Sequence, residues 1–195
     1  MFSDVDRKLK NKNALLFSRE SECLQGLKLL IEQQRHRTLV MWALECAKVP
    51  LMQFEEKYPY EGRPRTALAL CEAWSRGEIK MPAAKRAILD AHAVAKEIDD
   101  RVYGALCHAI GHAGATVHVE THALGLPFYE LTAIVLKSGE SGYQKQVRGK
   151  IDDYCQRLIY WQENIETLDL EWAGFLLDDN RPNKGKCLRK KEDEQ

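Results

Sequence analysis

Four histidines fall within one short stretch of the chain, "HAIGHAGATVHVETHALG", at His108, His112, His118 and His122. They form two pairs whose members are four residues apart, a spacing that puts side chains on one helix face. Imidazoles so placed have two chemical uses: neutral rings ligate Zn²⁺ and other transition metals, and titrating rings move protons near neutral pH. The helical zinc motif, however, is HExxH, with glutamate directly after the first histidine. Here the text is "HVETH", so Glu120 stands two places on and is rotated off the side the histidines share. The ExxH pattern of di-iron bundles is also missing.

On a single helix over residues 99–122, at about 100° per residue, Leu106, Ile110, Val117 and Leu124 cover one side. The four histidines lie opposite, within an arc of roughly 120° that also holds Gly111, Ala115 and Val119. A helix sandwiched in a bundle has this character, and so does one lining a cleft. Each interior glycine costs about 1 kcal/mol against alanine. Gly111 and Gly114 therefore predict either a very close neighbouring backbone or a break in the helix. A break near Glu120 or Thr121 places the two pairs on different helices, and the sequence leaves both arrangements open.

No carboxylate shares the histidine arc, so the outer partners that orient metal-bound imidazoles are not supplied locally. The expectation is a packing and contact element with no metal and no cofactor. At least two imidazoles should be mostly buried and bonded to backbone or hydroxyl groups, and the others should edge a groove. The candidate groove residues are His108, His112, His118, Glu120 and His122. The rival reading is a helical metalloprotein or hydrolase in which His108, His112, His118 and His122, joined by His92 and Glu120, hold a Zn²⁺ or iron ion that activates water.

Other chemistry finds little support. There is no Gly-rich phosphate loop and no GxSxG elbow. Cys107 and His108 are sequence neighbours, which point about 100° apart on a helix and make a poor nucleophile and base. None of the six cysteines forms a CxxC pair, and Cys46, Cys71 and Cys107 read as small hydrophobes in alanine-rich helices. The acidic pairs Glu55–Glu56, Asp99–Asp100, Asp152–Asp153 and Asp178–Asp179 read as caps or solvated faces. Trp42, Trp74, Trp161 and Trp172 read as core or edge-of-core, with Tyr160 and Trp161 as partner-contact candidates near a helix end.

The elements that must position these residues are helices. No segment alternates apolar and polar residues cleanly, and β-branched residues are thinly spread. Leu24, Leu27, Leu30 and Ile31 fall at helical spacing in a segment opened by Ser18. Leu39, Trp42, Leu44 and Cys46 mark the next segment, which Pro50 should kink or split. "YPYEGRPR" is a loop, Gly77 stops a short helix, and Pro82 suits the first turn of the one that follows. Asp99 or Asp100 caps the histidine-bearing helix, and Pro127 opens another. "SGES" is a turn, an amphipathic helix ends near Asn164, and "LDLEWAGFLLDD" adds a last short one. The prediction is an all-α single compact bundle of about seven or eight helices. Residues 1–17 form a polar extension, 18–179 the helical domain and 180–195 a polar tail. No period of the solenoid kind is present.

A chain of 195 residues is one domain by default, with 45% hydrophobic and 30% charged residues as in an ordinary soluble protein. Net charge is zero, and the basic "KGKCLRKK" is largely cancelled by "EDEQ", which argues against a nucleic-acid partner. The polar start "MFSDVDRKLKNKN" lacks the apolar stretch of a signal peptide, and no run approaches the roughly 20 apolar residues of a membrane span. The expected location is the cytoplasm, with no membrane partner.

The segment "HRTLVMWALECAKVPLMQFEEKYPYEGRPRTALALCEAWSRGEIKM" resembles the Imm-5-like putative immunity proteins of bacteria. The elements that carry the resemblance are Trp42–Ala43, the run from Phe54 to Pro59, the RPR turn at Arg63 to Arg65, and the helix end from Ala73 to Glu78. "AAKRAILDAHAVA" and "GHAGATVHVETHALGLPFY" match the family's second half, so the resemblance spans about residues 36–137. Two departures are Pro127, where the family carries a small helical residue, and the first 30 or so residues, which lie outside the pattern. The resemblance implies an all-α protein that protects its maker by binding and neutralising a cognate protein toxin, and it brings no catalytic residues with it.

Overall fold

The computed structural model describes residues 1–139 and 142–178. Among them the chain is all-α: α1 (Ser3–Lys10), α2 (Gln25–Glu32), α3 (His36–Cys46), α4 (Lys48–Lys57), α5 (Arg63–Ser75), α6 (Met81–Glu97), α7 (Arg101–Ala115), α8 (Gly125–Ser138), α9 (Tyr143–Asn164) and α10 (Gly174–Leu177). Short 3-10 turns lie at Glu22–Leu24, Glu120–Leu124 and Ile165–Thr167. Cys187, Asp179 and the predicted tail 180–195 lie outside the described residues.

Helix boundaries follow local chemistry. Ala47 separates α3 from α4, and Pro50 occupies the first turn of α4, where its missing N–H costs nothing. Pro64 and Pro82 open α5 and α6 in the same way. Gly77 ends α5 with φ of 77°, a left-handed conformation suited to glycine. The Asp100 carboxylate accepts from the backbone N–H groups of Val102 and Tyr103 and so caps α7.

The core is built around α7, which touches α3, α4, α5, α6 and α8. Surrounded in this way, a helix must present small residues wherever a neighbour comes close. Ten of its residues are buried, among them Gly104, Ala105, Ala109, Gly111, Ala113, Gly114 and Ala115. Leu106, Ile110, Val117 and Leu124, the expected apolar side, are all buried. The other side of the molecule is held by α9, which packs on α2, α3 and α8. There Trp42 is fully buried, stacks in a tilted arrangement on Tyr154 at 5.4 Å, and donates its indole N–H to the Tyr154 carbonyl at 3.0 Å. Beside them the buried Glu130 carboxylate accepts from the Tyr154 hydroxyl and pairs with Lys150 at 2.9 Å.

Two expectations about the first residues need correction. Residues 1–17, read as a polar extension, carry α1 and contribute Phe2, Val5, Leu16 and Phe17 to the core. Phe2 packs edge-on against Tyr143 at 5.7 Å, and Asp6 accepts from the Tyr143 hydroxyl at 2.6 Å. The apolar residues of α1 are few but sit at spacings of three and four (Phe2, Val5, Leu9), enough for one buried stripe. The second concerns Ser18, which does not open a helix. The backbone reaches α2 only after a turn, because the Leu16 N–H is anchored to the Thr132 hydroxyl at 3.1 Å and Leu16 and Phe17 are buried.

Candidate functional site

The histidine stretch divides between two elements. His108 and His112 stand one turn apart on α7, which ends at Ala115. A turn over residues 116–119 then reverses the chain: the N–H of His118 bonds the Ala115 carbonyl at 3.0 Å, and that of Val117 bonds Gly114 at 3.2 Å. His122 follows on the 3-10 turn Glu120–Leu124, directly before α8. The break therefore falls a few residues before the point considered from sequence, and it folds His122 back over His112.

Four imidazoles come together as a result, and they are not the four adjacent in sequence. His92, delivered by α6, has its Nδ1 2.8 Å from the Nδ1 of His108, with ring centroids 5.0 Å apart. His92 and His112 meet edge to face at 5.3 Å. His112 and His122 have centroids 5.5 Å apart, with their Nδ1 atoms facing at 3.4 Å. Tyr129 of α8 flanks the group, 4.8 Å from the His108 ring and stacked on His112 at 5.2 Å. His118 is not a member. It is exposed and lies 5.9 Å from Trp74, which is buried and in turn touches Phe175.

The glycines find their explanation here. No backbone takes the space beside Gly111 and Gly114; side chains do. A Cβ at Gly111 would stand 2.6 Å from the His92 ring, and one at Gly114 would stand 2.7 Å from Cys71 Sγ. At Gly125 a Cβ would lie 2.3 Å from the His112 ring. Two of the imidazoles thus occupy the volume that side chains at residues 111 and 125 would need. The hydrogen bonding also departs from expectation. The four clustered rings, each half-buried, find imidazole partners where backbone or hydroxyl partners were predicted. His36, outside the cluster, does meet the backbone: its Nε2 lies 2.6 Å from the Thr116 carbonyl.

Burial sets the charge state. Loss of hydration, reinforced by the neighbouring rings, lowers the pKa of His112 to about 3 and that of His92 to about 4. His108 and His122 are lowered for the same first reason, with Lys96 and His118 respectively adding to it. At neutral pH the cluster is uncharged, and each ring has one N–H and one lone pair. Cys71 and Cys107 are pushed up by burial to about 12, so neither supplies a thiolate nucleophile.

The cluster reaches the surface on two sides. One groove, about 220 Å³, is lined by apolar residues including Trp74, Met81, Ile88 and Leu89, with Lys85 at its rim and His92, His118 and His122 on its wall. A second groove, about 240 Å³, ends at His108 and Tyr129. Of the other predicted contact residues, Tyr160 is 44% exposed. Trp161 is a correction: it is 8% exposed, because its indole N–H turns inward to the Glu45 carboxylate, which also binds Arg157. His92 was named from sequence only as an auxiliary. Its place in the cluster depends on how α6 lies against α7, and "LDAHAVAK" gives no local sign of it.

Among the described residues the site is thus a neutral histidine cluster in an all-helical bundle. The profile of the family described as "Imm-5 like putative immunity protein" matches residues 29–157. The chain belongs to that family. No curated protein and no solved structure matches it significantly. Among the described residues no helix is long and apolar enough to cross a membrane.

Proposed function

We propose that this chain is a cytoplasmic immunity protein that binds and neutralises a cognate bacterial protein toxin without catalysis of its own. The observation that carries the reading is the family match over residues 29–157, most of the folded body. The surface supports it. Met81 and Leu89 line the first groove at 39% and 55% exposure, and such an apolar rim with one basic residue, Lys85, suits the core of a protein interface. His118 is exposed beside them, and Tyr160 offers an aromatic anchor on α9. The five described cysteines are all free thiols, as suits a reducing compartment.

The test is co-expression with the protein encoded beside it. A stable complex on gel filtration, rescue of growth from that protein, and loss of both on changing Leu89→Asp and Met81→Asp are expected. A toxic neighbour that neither binds nor is relieved sinks the reading. Complex formation that ignores both substitutions moves the interface away from this groove.

A further inference from the structure

We propose that the first groove binds a small carboxylic acid with an apolar body, a short aryl or alkyl acid, through the indole N–H of Trp74 and the ammonium of Lys85. The inference does not depend on toxin binding. It rests first on Trp74. This side chain is only 6% exposed, yet its indole N–H makes no hydrogen bond to any described residue. A buried indole N–H normally finds an acceptor. Trp42 gives its own to the Tyr154 carbonyl, and Trp161 gives its own to the Glu45 carboxylate. The Trp74 nitrogen is not sealed from solvent either, since among the described residues the buried side-chain nitrogen without a partner is Arg37 Nε. Trp74 lines the groove, and the groove is the opening that we assign to its donor.

The second observation is charge. Lys85 is the one Lys, Arg, Asp or Glu among the groove's described lining residues. It is exposed, and no described carboxylate pairs with it. Trp74 and Lys85 stand on α5 and α6, which pack against each other and are joined by residues 76–80. An indole N–H and an ammonium are both donors, and no described acidic side chain on the wall competes for them. The complementary group is therefore an anionic acceptor, and a carboxylate takes charge-assisted bonds from both.

The third is size and lining. Met81, Ile88 and Leu89 give the groove an apolar wall, and its volume is about 220 Å³. An apolar cavity of about 150 Å³ holds a benzene ring. Pockets for drug-sized ligands run to about 300–1,000 Å³. A single ring or a short alkyl chain carrying one carboxylate falls between these limits. Burial of that body supplies the affinity, and the two donors set its orientation. On the toxin reading, the bound acid competes for the same surface.

The experiment titrates the full chain, without toxin, with phenylacetate and follows the tryptophan indole N–H signals by heteronuclear NMR. Its failure therefore leaves toxin binding untouched. Phenylacetate should bind saturably and shift the indole signal that Trp74→Phe removes. Phenethyl alcohol should bind about 10-fold more weakly, having lost the ion pair and the charge-assisted bond, and phenethylamine should not compete. Lys85→Met should weaken phenylacetate by about 2–5-fold and leave phenethyl alcohol unchanged. Leu89→Asp sets a like charge in the groove and should weaken phenylacetate by about 10-fold or more. Met52→Asp, on the exposed side of α4, should leave it unchanged. Should Trp74→Phe unfold, the exposed positions Lys85 and Leu89 carry the test. No saturable shift, equal binding of the acid and the amine, or a response that survives Leu89→Asp overturns the proposal.

Discussion

Acid should loosen this protein well above the pH at which ordinary carboxylates protonate, and the histidine cluster sets the size of the effect. His112 has a pKa of about 3 in the fold against an ordinary value of 6.5. The unfolded chain therefore binds a proton that the folded chain refuses, and stability is complete above the unfolded value and falls as pH drops below it. Each unit of difference is worth about 1.4 kcal/mol. Between pH 7 and pH 5, His112 alone removes about 2 kcal/mol, because the folded ring stays neutral throughout that window. His92, at about 4 and less deeply buried, adds about 1 kcal/mol after allowance for solvent screening. A loss of about 3 kcal/mol is a large part of a domain's total of roughly 5–15 kcal/mol. The assay is urea unfolding of the metal-free protein at a series of pH values between 7.5 and 5, followed by circular dichroism. The variant His112→Asn should be less stable at pH 7 and should show a slope with pH shallower by about 1.4 kcal/mol per unit below pH 6. Unfolding free energy that is flat from pH 7 to pH 5, or the same slope in His112→Asn, would show that the rings are solvated and the burial argument is wrong.

Trp42→Ala should cost about 3–5 kcal/mol, since it empties a fully buried site and removes the indole donor from the Tyr154 carbonyl, and denaturant unfolding measures it. Gly125→Ala forces the His112 ring aside and should destabilise by about 1–3 kcal/mol. Gly149→Ala on α9 meets open space and should stabilise by about 0.5–1 kcal/mol; equal effects at the two positions would remove the steric account of the cluster. Lys150→Met leaves Glu130 buried without its cation and should lower stability by about 3–5 kcal/mol, and adding Glu130→Leu should recover part of the loss; an additive double variant would refute the coupling.

The helical class was legible because its signals are local. Pro50, Pro82, Gly77 and Asp100 act through their own φ angle or side chain, and each sits at a helix boundary in the fold, whereas Pro64, read as part of a loop, lies in the first turn of α5. The apolar spacing that buries Trp42 and Ile110 is likewise a property of a single helix. Residues 1–17 look like a polar extension because charge dominates their composition, whereas burial depends on the apolar stripe Phe2, Val5 and Leu9, on the Tyr143 ring that meets Phe2, and on the Thr132 hydroxyl that anchors the Leu16 N–H. Family membership was legible too, since it resides in residue order.

The cluster was not legible in the same way. Sequence spacing grouped His108, His112, His118 and His122, and only three of these meet. His118 is turned toward Trp74 by the reversal at residues 116–119, and His92 replaces it from a helix whose own pattern assigns it no task. Gly111 and Gly114 announced a close approach, but what approaches was fixed by the packing of α5 and α6 against α7, which brings Cys71 and His92 there. The lowered pKa values follow from the same packing, because desolvation depends on everything around a ring and not on its neighbours in sequence. Sequence by itself determined that four imidazoles lie near the middle of a small-residue helix and its exit. Tertiary structure decided which imidazoles face each other, at what distance, and in which charge state.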